Sequence, residues 1–411
     1  MDERKDTAQF AGIGVARTRR PRFGRLLGAT IGLIAAIVLA GCTTGTGPDP
    51  TSSSAADAAN AADAANAALA ADIADVLQAT IDETGVPGIA VSYIGPDGTV
   101  AVHSGVATLD DDPSDDFSGD TFAYRSITKS FIVTMILQLA DAGALTLDDP
   151  IEQYVPRIPR GTEITLRQLA GMRSGLPNYS ASEAFQTAFA ADPTREWTDA
   201  ELLATVTPLP LDFEPGARFE YSNTNTVLLG LVVEALDGRP WADSVRERIT
   251  SPLELASVAY PVGPAMADPA ATGYQLGEPD GESAPDAEEL PAIPFSGFSA
   301  AGGLAGTVED LARWAEALGG GVLLNGPTQA ERIATPSDPK EDVNAPFYDA
   351  YGLGMGEIDS WWGHTGNGLG FQALAMHDVD TGRSIAIVLN ATSIDPDLAA
   401  HIFQKLLPLL G

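Results

Sequence analysis

The chain has 411 residues, enough for one large or two medium domains. Its 56 Asp and Glu outnumber 23 Lys and Arg, giving a formal net charge of −33 that repels phosphate and argues against a nucleic-acid partner. With 45% hydrophobic residues the chain can bury a sizeable core, so the acidity reads as a solvated surface.

The N-terminus differs from the rest. Arg17, Arg19, Arg20, Arg22 and Arg25 form a basic stretch, and Leu26 to Ala40 is an uncharged, mostly apolar run of 15 residues. That run is short for a spanning helix, which needs roughly 20 residues. Basic start, apolar middle and small residues before a cut describe a secretory signal over residues 1–41. Leu39-Ala40-Gly41-Cys42 resembles the lipobox of bacterial lipoproteins, whose cysteine is lipidated. Cys42 is the only cysteine, so no intrachain disulfide can form, and a lipid thioether gives it a reason to be there. The expected location is the outer face of a bacterial cytoplasmic membrane, with the export route (Sec or twin-arginine) left open.

Residues 42–68 read as a tether. Thr43 to Ser54 is Thr, Ser, Gly and Pro, and the repeat AADAAN follows at 55–60 and 61–66. Alanine favours helix, but this stretch has no apolar face worth burying. The folded body is expected over 69–411. A helix covers about 69–84, then two strands, GIAVSYIG and TVAVHSGVA, flank the turn Pro96-Asp97-Gly98. A helix over 127–142 is apolar on nearly every side and belongs in a core; Gly143 stops it. Residues 148–290 read as a mostly helical subdomain with long Pro/Gly loops, including the acidic loop GEPDGESAPDAEEL. Thr307 is an N-cap with Asp310 in a box-like position, opening a helix to Leu318. FQALAMHDV and SIAIVLNAT are strands, and an amphipathic helix near 396–409 ends the chain. Strands at both ends with helices between predict an α+β fold: one antiparallel sheet flanked by helices, with the helical middle inserted.

Lys129 is one of four lysines, yet it lies in the first turn of the buried helix, where the dipole disfavours a cation. Ser126 precedes it by one turn on the same face. A serine hydroxyl needs a base to become a good nucleophile, and a buried, neutral lysine can be that base. The Ser126 N–H at the helix start can point at an oxyanion. The bare S-x-x-K pattern is weak, since Ser337-Asp338-Pro339-Lys340 also fits it; there Pro336 and Pro339 oppose a helix. No C-x-x-C, H-E-x-x-H or G-x-S-x-G occurs, and His103, His364, His377 and His401 are not at ligand spacing, so no metal or other cofactor is expected.

Context supplies the specificity. Tyr221-Ser222-Asn223 precedes an apolar helix, and His364-Thr365-Gly366 sits in WWGHTGNGLGF, just ahead of a strand. S-x-x-K, Y-x-N and H-T-G in this order resemble the serine β-lactamase and penicillin-binding-protein superfamily. The tyrosine points to the class C β-lactamase-like branch, and SITK, YSN and HTG look most like the exocellular D-alanyl-D-alanine carboxypeptidase/transpeptidases. ITLRQLAGMRSGLPNY, FEPGARFEYSNTNTVLLG, AGGLAGTVEDLARW and YGLGMG extend the resemblance over roughly 70–410.

The resemblance implies a β-lactamase/DD-peptidase-like fold and an acyl-enzyme mechanism. Ser126 would be acylated, with Lys129 and Tyr221 sharing its proton. Which of those two is the base is not read from the sequence. Asn223 would bind the acyl-side amide, and His364, Thr365 and Gly366 would line the opposite wall. The Asn367 N–H would complete the oxyanion hole with that of Ser126. The implied substrate is a peptidoglycan-type peptide or another small acyl compound. Carboxypeptidase relatives place an arginine before the third motif to hold the substrate carboxylate. Here Tyr351 to Gly363 holds no Arg or Lys but Glu357 and Asp359. An esterase or amidase, a class C-like β-lactamase and a non-catalytic penicillin-binding sensor are the alternatives.

Overall fold

Two apolar runs from opposite ends of the chain, Gly88–Gly95 and Ser384–Leu389, pair antiparallel from Ile89↔Leu389 to Ile94↔Ser384. They lie inside a seven-stranded sheet in a computed structural model that describes residues 50–277 and 286–411. The expected signal segment, Cys42, the start of the tether and most of the acidic loop lie outside the described residues. Residues 64–411 form one compact unit, and apart from residues 50–63 at the start of the first helix all that follows concerns it.

The strands are β1 (Gly88–Gly95), β2 (Gly98–Gly105), β3 (Ala350–Tyr351), β4 (Gly356–Ile358), β5 (Trp361–Gly368), β6 (Phe371–His377) and β7 (Ser384–Leu389). Their order is β2-β1-β7-β6-β5-β4-β3, antiparallel throughout. The helices that matter are α1 (Pro50–Thr84), α2 (Thr128–Asp141), α3 (Asn223–Asp237), α4 (Val308–Gly320), α5 (Gly326–Ala334) and α6 (Leu398–Leu410).

The sheet's two faces differ because strand residues alternate. Ile89, Val91, Leu374, Met376, Ile385 and Ile387 join Ile73 and Leu77 of α1 and Ile402 and Phe403 of α6 in one core. Each such side chain contributes about 1.5–3 kcal/mol on burial. The alternate positions are Ala90, Ser92, Ala373, Ala375 and Ala386, and α4 lies against these strands. Small side chains let that helix approach closely. α4 in turn carries α2: Trp314 stacks on Phe131 with ring centroids 3.8 Å apart and donates to Ser130 Oγ at 2.9 Å. α3 packs against α2 as well. Neighbours on these sides explain why α2 is apolar nearly all round.

Several expectations need correction. α1 begins at Pro50 rather than near 69, because the alanine repeat has high helix propensity and nothing interrupts it before Gly85. The H-T-G motif lies ahead of β6, as expected, but is itself part of strand β5. Thr307 caps α4 by accepting from Asp310 N, but the Asp310 carboxylate bonds Ser257 N and Oγ instead of closing a box. The region 148–290 ends in short strands, Tyr274–Leu276 and Ala287–Glu289, that pair with each other and with Ala391–Thr392.

Candidate active site

Helix α2 begins from a single 3-10 turn, Arg125–Ile127, that holds Ser126. One turn on, Lys129 Nζ lies 2.9 Å from Ser126 Oγ and donates to Ala301 O at 2.7 Å. Lys129 is fully buried, and desolvation holds its ammonium well below the usual lysine range. A neutral amine has N–H donors for Ala301 and a lone pair free for the serine proton. Neutrality also removes the clash between a cation and the helix start. The second S-x-x-K differs throughout: Ser337 accepts from Arg173, and Lys340 is exposed.

Tyr221 stands just ahead of α3. Two carboxylates hold its approach, Glu341 accepting from Phe219 N at 2.7 Å and Asp342 from Tyr221 N at 3.0 Å. The Tyr221 ring centroid is 5.0 Å from Lys129 Nζ. The ring is partly exposed, but the hydroxyl is buried and completes no hydrogen bond among the described residues. Burial raises its pKa well above the usual value, with Tyr348 adding to the rise, while nearby Ser126 lowers it to a smaller degree. Burial therefore pushes both members of the pair toward their neutral forms. Asn223 opens α3, its Nδ2 donating to Ser180 Oγ at 2.8 Å and its backbone N–H to Asn178 Oδ1 at 3.2 Å.

The third wall is β5. A methyl on Gly366 would sit 2.2 Å from Tyr124 O and 3.1 Å from Ser126 N, so only glycine lets this strand run against the nucleophile turn. Thr365 is buried, with Oγ1 2.8 Å from the Tyr348 hydroxyl, and Asn367 is exposed at the strand's end. His364 is fully enclosed. Its Nδ1 lies 2.6 Å from Thr365 O, an acceptor, so Nδ1 carries the proton. Nε2 then accepts from Tyr351 Oη at 3.0 Å. Burial is the largest cause lowering the His364 pKa to about 3, and the positive charge of Arg332 adds to it. The imidazole abuts Tyr221, with ring centroids 6.4 Å apart. It backs the phenol rather than facing the cleft.

The motif residues thus converge: Ser126, Lys129, Tyr221 and Gly366 meet at one place, Asn223 and Thr365 stand on two walls, and His364 supports from behind. The sequence reading missed Arg125, Asn178, Ser180, Ala301, Tyr348 and Tyr351. Asn178, Ala301 and Tyr351 lie in blocks whose resemblance was visible, but Ala301 acts through its backbone, which leaves no side-chain signature. Among the described residues no cluster of His, Cys, Asp and Glu suits a metal ion, and no helix is long and apolar enough to cross a membrane.

The β-lactamase family model matches residues 73–407. The chain is 30% identical over 217 residues to the D-alanyl-D-alanine-carboxypeptidase/endopeptidase AmpH of Escherichia coli, covering 51% of this chain and 52% of that protein. Curated relatives are matched over 40–65% of their own length. A D-stereospecific amidohydrolase from Streptomyces sp. superposes with a TM-score of 0.68 at 30% identity, over 78% of this chain and 94% of that one. A D-amino acid amidase from Ochrobactrum anthropi does so with a TM-score of 0.72 at 26% identity, over 83% and 98%. From its ordered motifs, its fold and a family match spanning most of its length, the chain belongs to the β-lactamase family of serine hydrolases.

Proposed function

We propose that this protein cleaves an amide bond through an acyl-enzyme on Ser126, acting as a D-alanyl-D-alanine carboxypeptidase-like enzyme on cell-wall peptides. The observation that carries this reading is the buried Lys129 amine, 2.9 Å from Ser126 Oγ, with a carbonyl and no carboxylate as its other partner. Lys129 takes the serine proton as Oγ attacks the carbonyl carbon. Tyr221, whose buried hydroxyl stands beside Ser126, passes a proton to the departing amine. The backbone N–H groups of Ser126 and Asn367 receive the oxyanion. Asn223 holds the acyl-side amide, and Thr365 faces the leaving side. Water then releases the acyl group by the reverse proton path.

A second reading has its own support. Thr365 Oγ1 pairs with the Tyr348 hydroxyl, and no Arg or Lys lies between Tyr351 and Gly363. Hydroxyls suit an uncharged leaving group better than a free carboxylate, which favours an amidase acting on D-amino acid amides. The names of the amidohydrolase and amidase relatives agree with it. Residues 1–41 as an export signal and a lipid on Cys42 complete the proposal, placing the enzyme outside the cell, tethered through 42–68.

A fluorescent penicillin and two substrates test these readings. The wild type should be labelled and Ser126→Ala should not. Release of D-alanine from a D-Ala-D-Ala peptide supports the carboxypeptidase, and release of ammonia from a D-amino acid amide alone supports the amidase. Labelling that decays within seconds would move the reading to a β-lactamase. No labelling and no turnover would leave a non-catalytic protein and end the proposal.

A further inference from the structure

Arg125 immediately precedes Ser126 and has no part in the chemistry above. It is 3% exposed and meets no carboxylate among the described residues. Its Nε donates to Gly368 O at 2.8 Å and its Nη2 to Leu369 O at 2.9 Å. Its guanidinium carbon stands 4.2 Å over the Phe298 ring. Arg125 and Leu369 both hold left-handed backbone, with φ of 51° and 41°. Such conformations cost a residue with a side chain about 1–3 kcal/mol and persist only where the surroundings over-determine them. One guanidinium ties these two strained points together.

Three walls of the site converge on this side chain. Arg125 is continuous with the nucleophile turn. It grips the turn that ends β5, the strand carrying Gly366 and Asn367. Through Phe298 it also braces the loop whose Ala301 carbonyl holds Lys129. A planar fork can serve two successive carbonyls in one fixed geometry, which a flexible ammonium does not reproduce. Its Nη1 is buried without a hydrogen-bond partner among the described residues, so the interior cost of this cation is carried for two carbonyl contacts and the faces of Phe298, Phe295 and Phe371.

We propose that Arg125 is a positioning residue whose fork sets the distance between β5 and Ser126, and so registers the Asn367 N–H with the Ser126 N–H around one oxyanion. This rests on Ser126 being the nucleophile. Its effect belongs to the tetrahedral state, not to the binding of substrate.

The test compares the full-length wild type with Arg125→Met and Arg125→Lys. Two quantities are read: turnover of the better amide substrate, and affinity for an arylboronic acid, which forms a tetrahedral adduct on the serine hydroxyl. A displacement of about 1 Å at such a site costs on the order of 100-fold. Arg125→Met should therefore lose roughly 100-fold in kcat and a similar factor in boronate affinity, with KM within about threefold. Arg125→Lys should fall between. Should Arg125→Met fail to fold, a fall in kcat at constant KM and melting temperature in Arg125→Lys carries the proposal, and its absence overturns it. Wild-type values in Arg125→Met overturn it too, as does a rise in KM at constant kcat, which would mark a substrate contact. A wild type that neither turns over substrate nor binds boronate would remove the functional reading itself, and this role with it.

Discussion

At the rim, Arg160 bonds Glu163 and Glu214, Arg167 bonds Asp148 and Glu331, and Arg195 bonds Glu201. In the centre, Arg125, Lys129 and Arg332 are all buried, and among the described residues each hydrogen-bonds only carbonyls and hydroxyls. Arg332, on α5, donates to Leu353 O at 3.1 Å and Thr134 Oγ1 at 2.8 Å. In a chain with 56 acidic residues, an interior where no carboxylate meets these cations carries information. A carboxylate beside Lys129 would hold it protonated and useless as a base. Without one, burial alone holds the amine's pKa well below the usual lysine range. Arg332 adds positive potential, which shows in the depression of His364. The rim pairs its charges, while in the centre burial, with a smaller contribution from the positive charge of Arg332, holds neighbouring bases free of protons.

Three experiments press on this contrast, beginning with the largest effect. Lys129→Met should lower kcat/KM by about 10³-fold or more, because a general base is removed. Its unfolding free energy should shift by no more than about 2 kcal/mol, since a neutral amine is exchanged for a similar apolar volume. A severe loss of stability in urea titration would instead make Lys129 a charged structural member.

The second concerns pH. His364 stays neutral in the folded protein down to about 3, whereas an unfolded imidazole takes a proton below about 6.5. Between these values the unfolded state binds more protons. Stability from this group is complete above about 6.5 and falls by about 1.4 kcal/mol per unit as pH drops toward 3. His364→Gln should flatten that part of the stability profile relative to wild type. An unchanged slope would mean that the buried imidazole accepts a proton after all.

The smallest effect belongs to the rim. Arg160→Ala breaks two exposed ion pairs and should leave the urea midpoint and the activity close to those of the wild type. A larger loss would erase the distinction between rim and centre.

Much of this arrangement was legible in the sequence. Alternating apolar runs marked β1, β2, β6 and β7, and a helix apolar all round marked α2. The lysine out of place at its start marked the site. β5 was hidden because Gly363, Gly366 and Gly368 argue against a strand. They are there for proximity: a methyl on Gly363 would fall 1.8 Å from Ala375 O. Tyr348 and Tyr351 look like ordinary core tyrosines until the fold brings them to His364. Arg125 was invisible because its acceptors are backbone carbonyls 243 and 244 residues away.

The pairing of β1 with β7 has a temporal consequence. A nascent chain presents its first hairpin early, yet one border of β1 stays unsatisfied until almost the last residues have been made. An open strand border is a template for the wrong neighbour, including the same segment of a second unfinished copy. Recovery from denaturant should therefore worsen as protein concentration rises, and a chain truncated before Ser384 should accumulate as aggregate rather than as a smaller folded form.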